Sequence, residues 1–375
     1  MERQYQICSR CIMDTSDPNI VFDHEGICNH CRTYEQSVKN ALFTGPDGKR
    51  RLELIVNQIR SEGKGKKYDC IMGVSGGVDS TYTAHLAKKM GLRPLAVHLD
   101  NGWDSELAVK NVQNMLEILQ IDLYTCVLDW DEFKNLQLAF LRASVPDLEI
   151  PSDHAIVSVL YKVAIENGVK YFISGSNLAT ESHLPQAWST GHRDWKYIKG
   201  INQRFGVQKL KTFPHHSVAD LAYYKLFKRH QTINILNYID YVKEEAMDTL
   251  KKDLNWQYYG GKHYESIYTR FIQGYILPVK FGFDKRRNHM STLICSGQIS
   301  REYAMEEIKK DPYPSAQMLQ DDIEFVKRKL DLSYSEFETL MKLPNKTFWD
   351  YPSYEKDWLF KLGTKIYLKS RIPSN

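Results

Sequence analysis

The run Ile71-Met72-Gly73-Val74-Ser75-Gly76-Gly77-Val78-Asp79-Ser80 constrains this chain more than any other stretch. The apolar segment ending at Val74 reads as a buried strand and Ser-Gly-Gly as a sharp turn. Asp79-Ser80 opens an amphipathic helix with Tyr82, Leu86 and Met90 at helical spacing. Strand, glycine turn and helix start together make an anion site, because first-turn N–H groups lack partners and the helix dipole is positive there. Gly76 and Gly77 let a phosphate approach the backbone, and Ser75 and Ser80 add hydroxyls.

The loop is not a Walker A sequence, since no lysine follows the glycines. The run S-G-G-V-D-S instead resembles the pyrophosphate (PP) loop of the ATP pyrophosphatases, which split ATP into AMP and pyrophosphate. That resemblance makes Ser75, Gly76, Gly77, Val78, Asp79 and Ser80 ATP- and pyrophosphate-binding residues. It also makes Asp79 a ligand for Mg²⁺, a hard cation suited to carboxylate and phosphate oxygens. The alternative is an ordinary glycine turn with a serine cap.

Beyond the loop, strand and helix patterns alternate, which predicts an α/β fold built on a doubly wound parallel sheet. Leu95 to Asp100, Leu123 to Leu128 and Tyr171 to Gly175 are further strands. Helices cover Asp104 to Leu119, a segment with Phe133 to Leu141, and His154 to Glu166 with Ile156, Val159, Leu160 and Val163 inward. Ligands in such sheets sit at the carboxyl ends of strands. Three segments should therefore converge: Ser75–Ser80, His98–Gly102 and Gly175–Glu181. The second resembles the H-x-D-N-G run beside the adenosine in this superfamily, giving His98 and Asp100 an ATP-side role. The third resembles its G-x-N motif, adding Gly175 and Asn177, with Glu181 as a second Mg²⁺ carboxylate or simply a helix N-terminal acid.

Cys8-Ser9-Arg10-Cys11 and Cys28-Asn29-His30-Cys31 are two C-x-x-C knuckles sixteen residues apart. Four thiolates so spaced suit a closed tetrahedral Zn²⁺ site; a redox pair or an iron–sulfur cluster are the alternatives. Seven cysteines used this way fit a reducing, cytoplasmic setting better than a disulfide framework. No apolar run is long enough for a bilayer, and a net charge of +4 is too small to argue for nucleic-acid binding. No membrane and no nucleic-acid partner are therefore expected.

Two stretches are dense in aromatic and cationic residues. The first, Trp188 to Phe205, includes Arg193 and Trp195, and reads either as a stacking platform for a sugar or base or as core packing. The second runs from Trp256 to Ser291 and offers Lys262, His263, Glu265, Arg270, Lys280, Lys285, Arg286, Arg287 and His289. Cations among glycine, proline and aromatic neighbours suit phosphates. Trp188, Arg193, Trp195, His263, Glu265 and Arg270 are expected substrate contacts. Gly63 to Lys67 reads as a hinge, and the aromatic tail from Phe348 to Phe360 as a packing or partner surface.

Taken with the knuckle and the PP loop, Gly175-Ser-Asn-Leu-Ala-Thr-Glu181, Tyr259-Gly-Gly-Lys262-His263-Tyr-Glu265-Ser266 and Phe281-Gly-Phe-Asp284-Lys285-Arg286 resemble the N-acetyl sugar amidotransferases (WbpG and PseA type). The similarity runs from the N-terminus to about Pro314. It implies an adenine nucleotide alpha hydrolase-like PP-loop fold and amidine formation on a nucleotide sugar, with ATP, Mg²⁺ and Zn²⁺ as cofactors. Asp79, Lys262, Lys285 and Arg286 become the expected catalytic residues, the last three neutralising phosphate charge. The family implies ammonia from a separate glutaminase with a cyclase-like subunit, resembling the two subunits of imidazole glycerol phosphate synthase. Neither a tRNA-thiolating PP-loop enzyme nor a non-catalytic zinc-knuckle protein is eliminated by sequence. The expected division is a knuckle at 1–40, helix and linker at 41–67, and the PP-loop domain at 68–215. A helical substrate-binding region at 216–311 completes the active site, followed by a helical tail at 312–375.

Overall fold

The computed structural model describes residues 4–358 and Phe360. Two helices, α1 (Asn29–Ala41) and α2 (Gly45–Glu62), precede β1 (Cys70–Gly73), α3 (Val78–Lys89), β2 (Pro94–Asp100), α4 (Glu106–Leu119) and β3 (Asp122–Val127). Then come α5 (Trp130–Ala143), α6 (Ile150–Glu166), β4 (Tyr171–Ser174), α7 (Trp195–Phe205), α8 (Val218–Leu226), β5 (Gln231–Asn234) and α9 (Lys243–Leu254). The strands form one parallel sheet in the order β3-β2-β1-β4-β5. The chain beyond β5 is helical: α10 (Ile267–Phe271), a π-helical run at Ile272–Phe281, α11 (Arg286–Cys295), α12 (Arg301–Glu307), α13 (Ala316–Lys329) and α14 (Tyr334–Lys342).

Both faces of the inner strands are covered, which is why they read as continuous apolar runs. Met72, Ala96 and Ile173 pack with α2, α3, α4 and α9, whereas Ile71, Leu95, Val97 and Phe172 pack with α5 and α6. The strand order reverses between β1 and β4, so the loops after these two strands flank a crevice. They touch closely: a Cβ on Gly175 would stand 2.9 Å from the Asp79 carbonyl oxygen.

Three local expectations differ from the structure. Residues 231–234 form the fifth strand, so the sheet continues past residue 215. Ile156 faces the crevice and is 38% exposed. Gly63 to Lys67 is fastened rather than hinged, because the Arg93 guanidinium donates to the carbonyls of Gly63 (2.8 Å) and Lys66 (2.6 Å), and Lys66 Nζ donates to Gly168 O at 2.8 Å. The aromatic segment packs in part: Phe348 and Tyr351 are buried beside Tyr197, and Trp349 and Trp358 are exposed.

The cysteine knuckle is built into the same body. Arg301 donates to the carbonyls of Cys8 (2.9 Å) and Cys11 (3.1 Å), Arg287 pairs with Asp14 at 3.0 Å, and Ile12 N donates to Ser291 Oγ at 3.2 Å. A second clamp joins α10 to α13, where Arg270 makes a two-pronged pair with Asp322 at 2.7 Å and Tyr313 OH donates to the same carboxylate at 2.9 Å. The pair is buried, so removing one partner strands the other charge. Arg270→Ala should therefore cost about 3–5 kcal/mol, read as a lower urea midpoint at unchanged slope.

Candidate active site

β1 runs into the loop, where Gly76 takes φ +78°, a left-handed value suited to glycine. A Cβ there would lie 2.5 Å from the Ala108 carbonyl oxygen, so the turn tolerates no side chain. Trp256 Nε1 donates to Gly76 O at 2.9 Å, and the Tyr259 hydroxyl accepts from Val78 N at 3.3 Å. Gly77 is the N-cap of α3 and supplies no capping side chain. The first turn thus points its dipole into the crevice.

At this helix start Asp79 accepts hydrogen bonds from Tyr241 OH and from Thr180 Oγ1 (3.4 Å). Burial, and next the charge of Glu181, raise the Asp79 pKa; Lys262 acts in the opposite direction. Lys262 Nζ lies 3.6 Å from Glu181 and donates to Thr180 O at 3.1 Å. A buried carboxylate that resists its charge, with a second carboxylate and a cation nearby, is relieved by a divalent ion. Asp79 and Glu181 therefore fit Mg²⁺, which prefers such oxygen donors.

From here a cavity of about 630 Å³ extends between the carboxyl ends of the strands and the helical region. Its near end carries Ser75, His98, Glu181, Lys262, His263 and Glu265. His98 places Nδ1 3.0 Å from Val74 O and Nε2 3.0 Å from Asp104. Burial disfavours its charge, but the Asp104 contact outweighs this and raises the pKa. Glu265 is opposite in sign: burial pushes its pKa up, while His263 at 3.5 Å brings it below the usual value.

The far end is an ion network on the same wall. His192 bridges Asp147 (3.2 Å) and Asp153 (3.3 Å), and Lys285 pairs with Glu149 at 3.2 Å. Burial alone would lower the His192 pKa, but the two aspartates lift it to about 10. Tyr268 and Asn288, each 2% exposed, leave the Tyr268 hydroxyl and Asn288 Oδ1 without protein partners at this wall. Buried polar atoms of this kind are ordinarily satisfied, so a polar ligand or water is their natural partner.

Not every sequence-predicted residue reaches the cavity. Asp100 accepts Gly102 N at 2.9 Å in a turn, and Asn177 accepts Thr180 N at 2.9 Å to shape its own loop. Trp188 stacks on Phe283 at 4.4 Å, and Trp195 stacks on His215 at 4.2 Å. Core packing thus occupies both tryptophans. Arg270 is held by Asp322, and Arg286 by Asp284 at 2.6 Å and by the Lys310 carbonyl at 2.9 Å. Arg193 lines a neighbouring cavity beside His192. Conversely, Asp104, Glu149, Asp153, His192, Tyr268 and His289 line the main cavity, and Tyr241 and Tyr259 brace the loop. Tyr259 opens the Y-G-G-K-H block and His192 and His289 belong to the two cation-rich stretches, whereas Asp104, Glu149, Asp153, Tyr241 and Tyr268 stand in no recognisable motif.

The four knuckle cysteines are fully buried, with Sγ separations of 3.9 Å (Cys8–Cys31), 3.7 Å (Cys11–Cys28) and 3.7 Å (Cys28–Cys31). A tetrahedron with zinc–sulfur bonds of about 2.3 Å has edges of about 3.8 Å, so the donors fit Zn²⁺. Cys28 N donates to Cys8 Sγ at 3.2 Å, as expected around thiolate ligands.

Residues 265–367 match the model of the LPS biosynthesis protein WbpG-like C-terminal domain. The matched segment supplies Glu265, Tyr268, Lys285, Asn288 and His289 to the cavity that Ser75 also lines. Among curated relatives, an uncharacterized protein of Methanocaldococcus jannaschii is 27% identical over 315 residues, 82% of this chain and 94% of its own length. A glutamine-hydrolyzing GMP synthase of Pyrobaculum aerophilum is 46% identical over 168 residues, 44% of this chain and 29% of its own. Among solved structures, NMN synthetase from Francisella tularensis aligns over 84% of this chain and 98% of its own, at 15% identity and a TM-score of 0.32.

The far-end network gives a pH signature. The folded-state pKa of His192 lies above its ordinary 6.5, so its stabilisation is complete below that value and is lost as pH rises toward about 10. The gap in urea midpoint between the wild type and His192→Gln should be widest near pH 6 and close progressively above neutrality. A gap that grows with pH would contradict the ion network.

Proposed function

We propose that this protein is an ATP-dependent, AMP-forming amidotransferase. It adenylates the acetamido oxygen of a nucleotide-activated sugar, and ammonia then displaces AMP to leave an acetamidino group, in surface polysaccharide (LPS O-antigen) or nonulosonic acid synthesis. The observation that carries this reading is a cavity lined at one end by Ser75, the residue that leads into the glycine turn before α3, and along the other wall by residues of the segment that matches the WbpG-like C-terminal domain. Carboxylates and unpartnered Tyr268 and Asn288 suit sugar hydroxyls. The name of the GMP synthase relative couples synthesis to glutamine hydrolysis, which supports the same nitrogen source here.

An amide carbon is a poor electrophile until its oxygen becomes a leaving group. Attack of that oxygen on the α-phosphorus expels pyrophosphate, whose growing charge meets the first-turn N–H groups of α3 and the Lys262 ammonium. Mg²⁺ bound by Asp79 and Glu181 would supply further neutralisation of the phosphates. Glu265, held ionised beside His263, receives the proton that the attacking ammonia must lose before AMP departs. Lys285, locked to Glu149, fixes the far wall rather than touching the triphosphate.

No cysteine is among the described residues that line the cavity, which argues against sulfur transfer to RNA. Cys70 is fully buried in β1, so ammonia is best supplied by a separate glutaminase with a cyclase-like subunit. The test supplies ATP, Mg²⁺ and ammonium with acetamido-sugar nucleotides and follows oxygen-to-NH exchange by mass alongside AMP. Asp79→Asn should slow AMP release by about 10²–10³-fold with the fold intact. Release of ADP, or full turnover by the variant, would refute the assignment.

A further inference from the structure

Outside the cavity, a fifth thiol and an imidazole converge on Cys31. Cys295 Sγ lies 3.6 Å from Cys31 Sγ, matching the 3.7 Å between Cys31 and Cys28. A ring nitrogen of His183 lies within 4.8 Å of both sulfurs. His183 is 0% exposed, and its Nδ1 faces Thr292 Oγ1 at 3.2 Å. That hydroxyl donates to Asn288 O at 2.9 Å and receives the backbone N–H groups of Ser182 and His183 at 3.2 Å. With its proton on Asn288 O and two backbone N–H groups on its oxygen, the hydroxyl is already saturated, so it packs against Nδ1 without dictating the tautomer, and a metal at Nε2 selects the form with the hydrogen on Nδ1. Nε2 is buried and has no hydrogen-bond partner.

A buried ring nitrogen without a partner is costly in either tautomer unless something fills the space beside it. Two sulfurs, an imidazole nitrogen and a hydroxyl orienting the other ring nitrogen are the donors and the supporting contact of a zinc site. We propose that Cys31, His183 and Cys295 bind a second Zn²⁺, with Cys31 as a thiolate shared between this ion and the four-cysteine site. On binding, the Cys295 thiol gives its proton to solvent as the sulfur–metal bond forms, and neutral His183 donates its lone pair. Four thiolates around one divalent ion leave surplus negative charge in a buried place. A second cation that brings one further thiolate and a neutral ring reduces it.

The site fastens α11 to the segment that directly follows Glu181. It therefore ties the cysteine knuckle to the loop carrying a proposed Mg²⁺ carboxylate.

Zinc content measured on the desalted full-length chain after saturation with Zn²⁺ alone decides the matter. Two equivalents are expected for the wild type and one for both Cys295→Ser and His183→Ala. With Co²⁺ in place of zinc, the thiolate-to-metal absorption should fall in Cys295→Ser by the share of the lost site. A wild type that binds one equivalent, or variants that keep the wild-type content, would overturn the proposal in favour of a metal-free S–H···N contact between Cys295 and His183. Should His183→Ala fail to fold, the near-isosteric Cys295→Ser carries the test alone.

Discussion

The close approach of backbone to backbone at Gly76 is the constraint on which the site depends. Ala108 O presses on it from α4, and the Trp256 indole holds its carbonyl from the far side of α9. Tyr259 reaches the next peptide but one. A turn gripped from segments roughly 30 and 180 residues away along the chain is preorganised before any ligand arrives. That is what an anion site needs if it is to spend none of its binding energy on ordering itself.

The rest of the architecture follows from that point. The parallel sheet aims β1 and β4 at the same crevice, and Gly175 lets the β4 loop lie against the start of α3. Residues from the segment that matches the WbpG-like domain then close the crevice into a cavity instead of leaving an open cleft. Charge is segregated along it. The near end mixes Glu181 and Lys262, with Asp79 just behind them, while the far end locks its ions in pairs beside the unpartnered polar atoms of Tyr268 and Asn288.

How much of this was legible in the sequence depended on whether a residue's role is local. The strand–turn–helix at Ser75 to Ser80 and the paired C-x-x-C knuckles are set by neighbours in the chain, and the structure places both as their spacing requires. Arg270, Arg286, Trp188 and Trp195 looked equally functional by composition. Their roles depend on partners such as Asp322, Lys310, Phe283 and His215, which no pattern announces. The same blindness hid Tyr241 altogether and hid what Tyr259 does within its block, since both hydroxyls matter only because the fold brings them to the loop. β5 was obscure because its residues are only partly buried at the sheet edge.

Helix α11 shows why the N-terminal knuckle is no detachable appendage. Asn288 and His289 look into the cavity, while Arg287, Ser291 and Cys295 look toward the sulfur cluster. The width of one helix thus separates the cavity from the four-cysteine cluster. A chain trimmed to begin at the sheet would expose that second face, leave Arg287 and Arg301 without their carbonyl partners, and free the floor of the chamber to shift. The smallest unit that keeps this wall of the cavity braced therefore includes the cysteine knuckle.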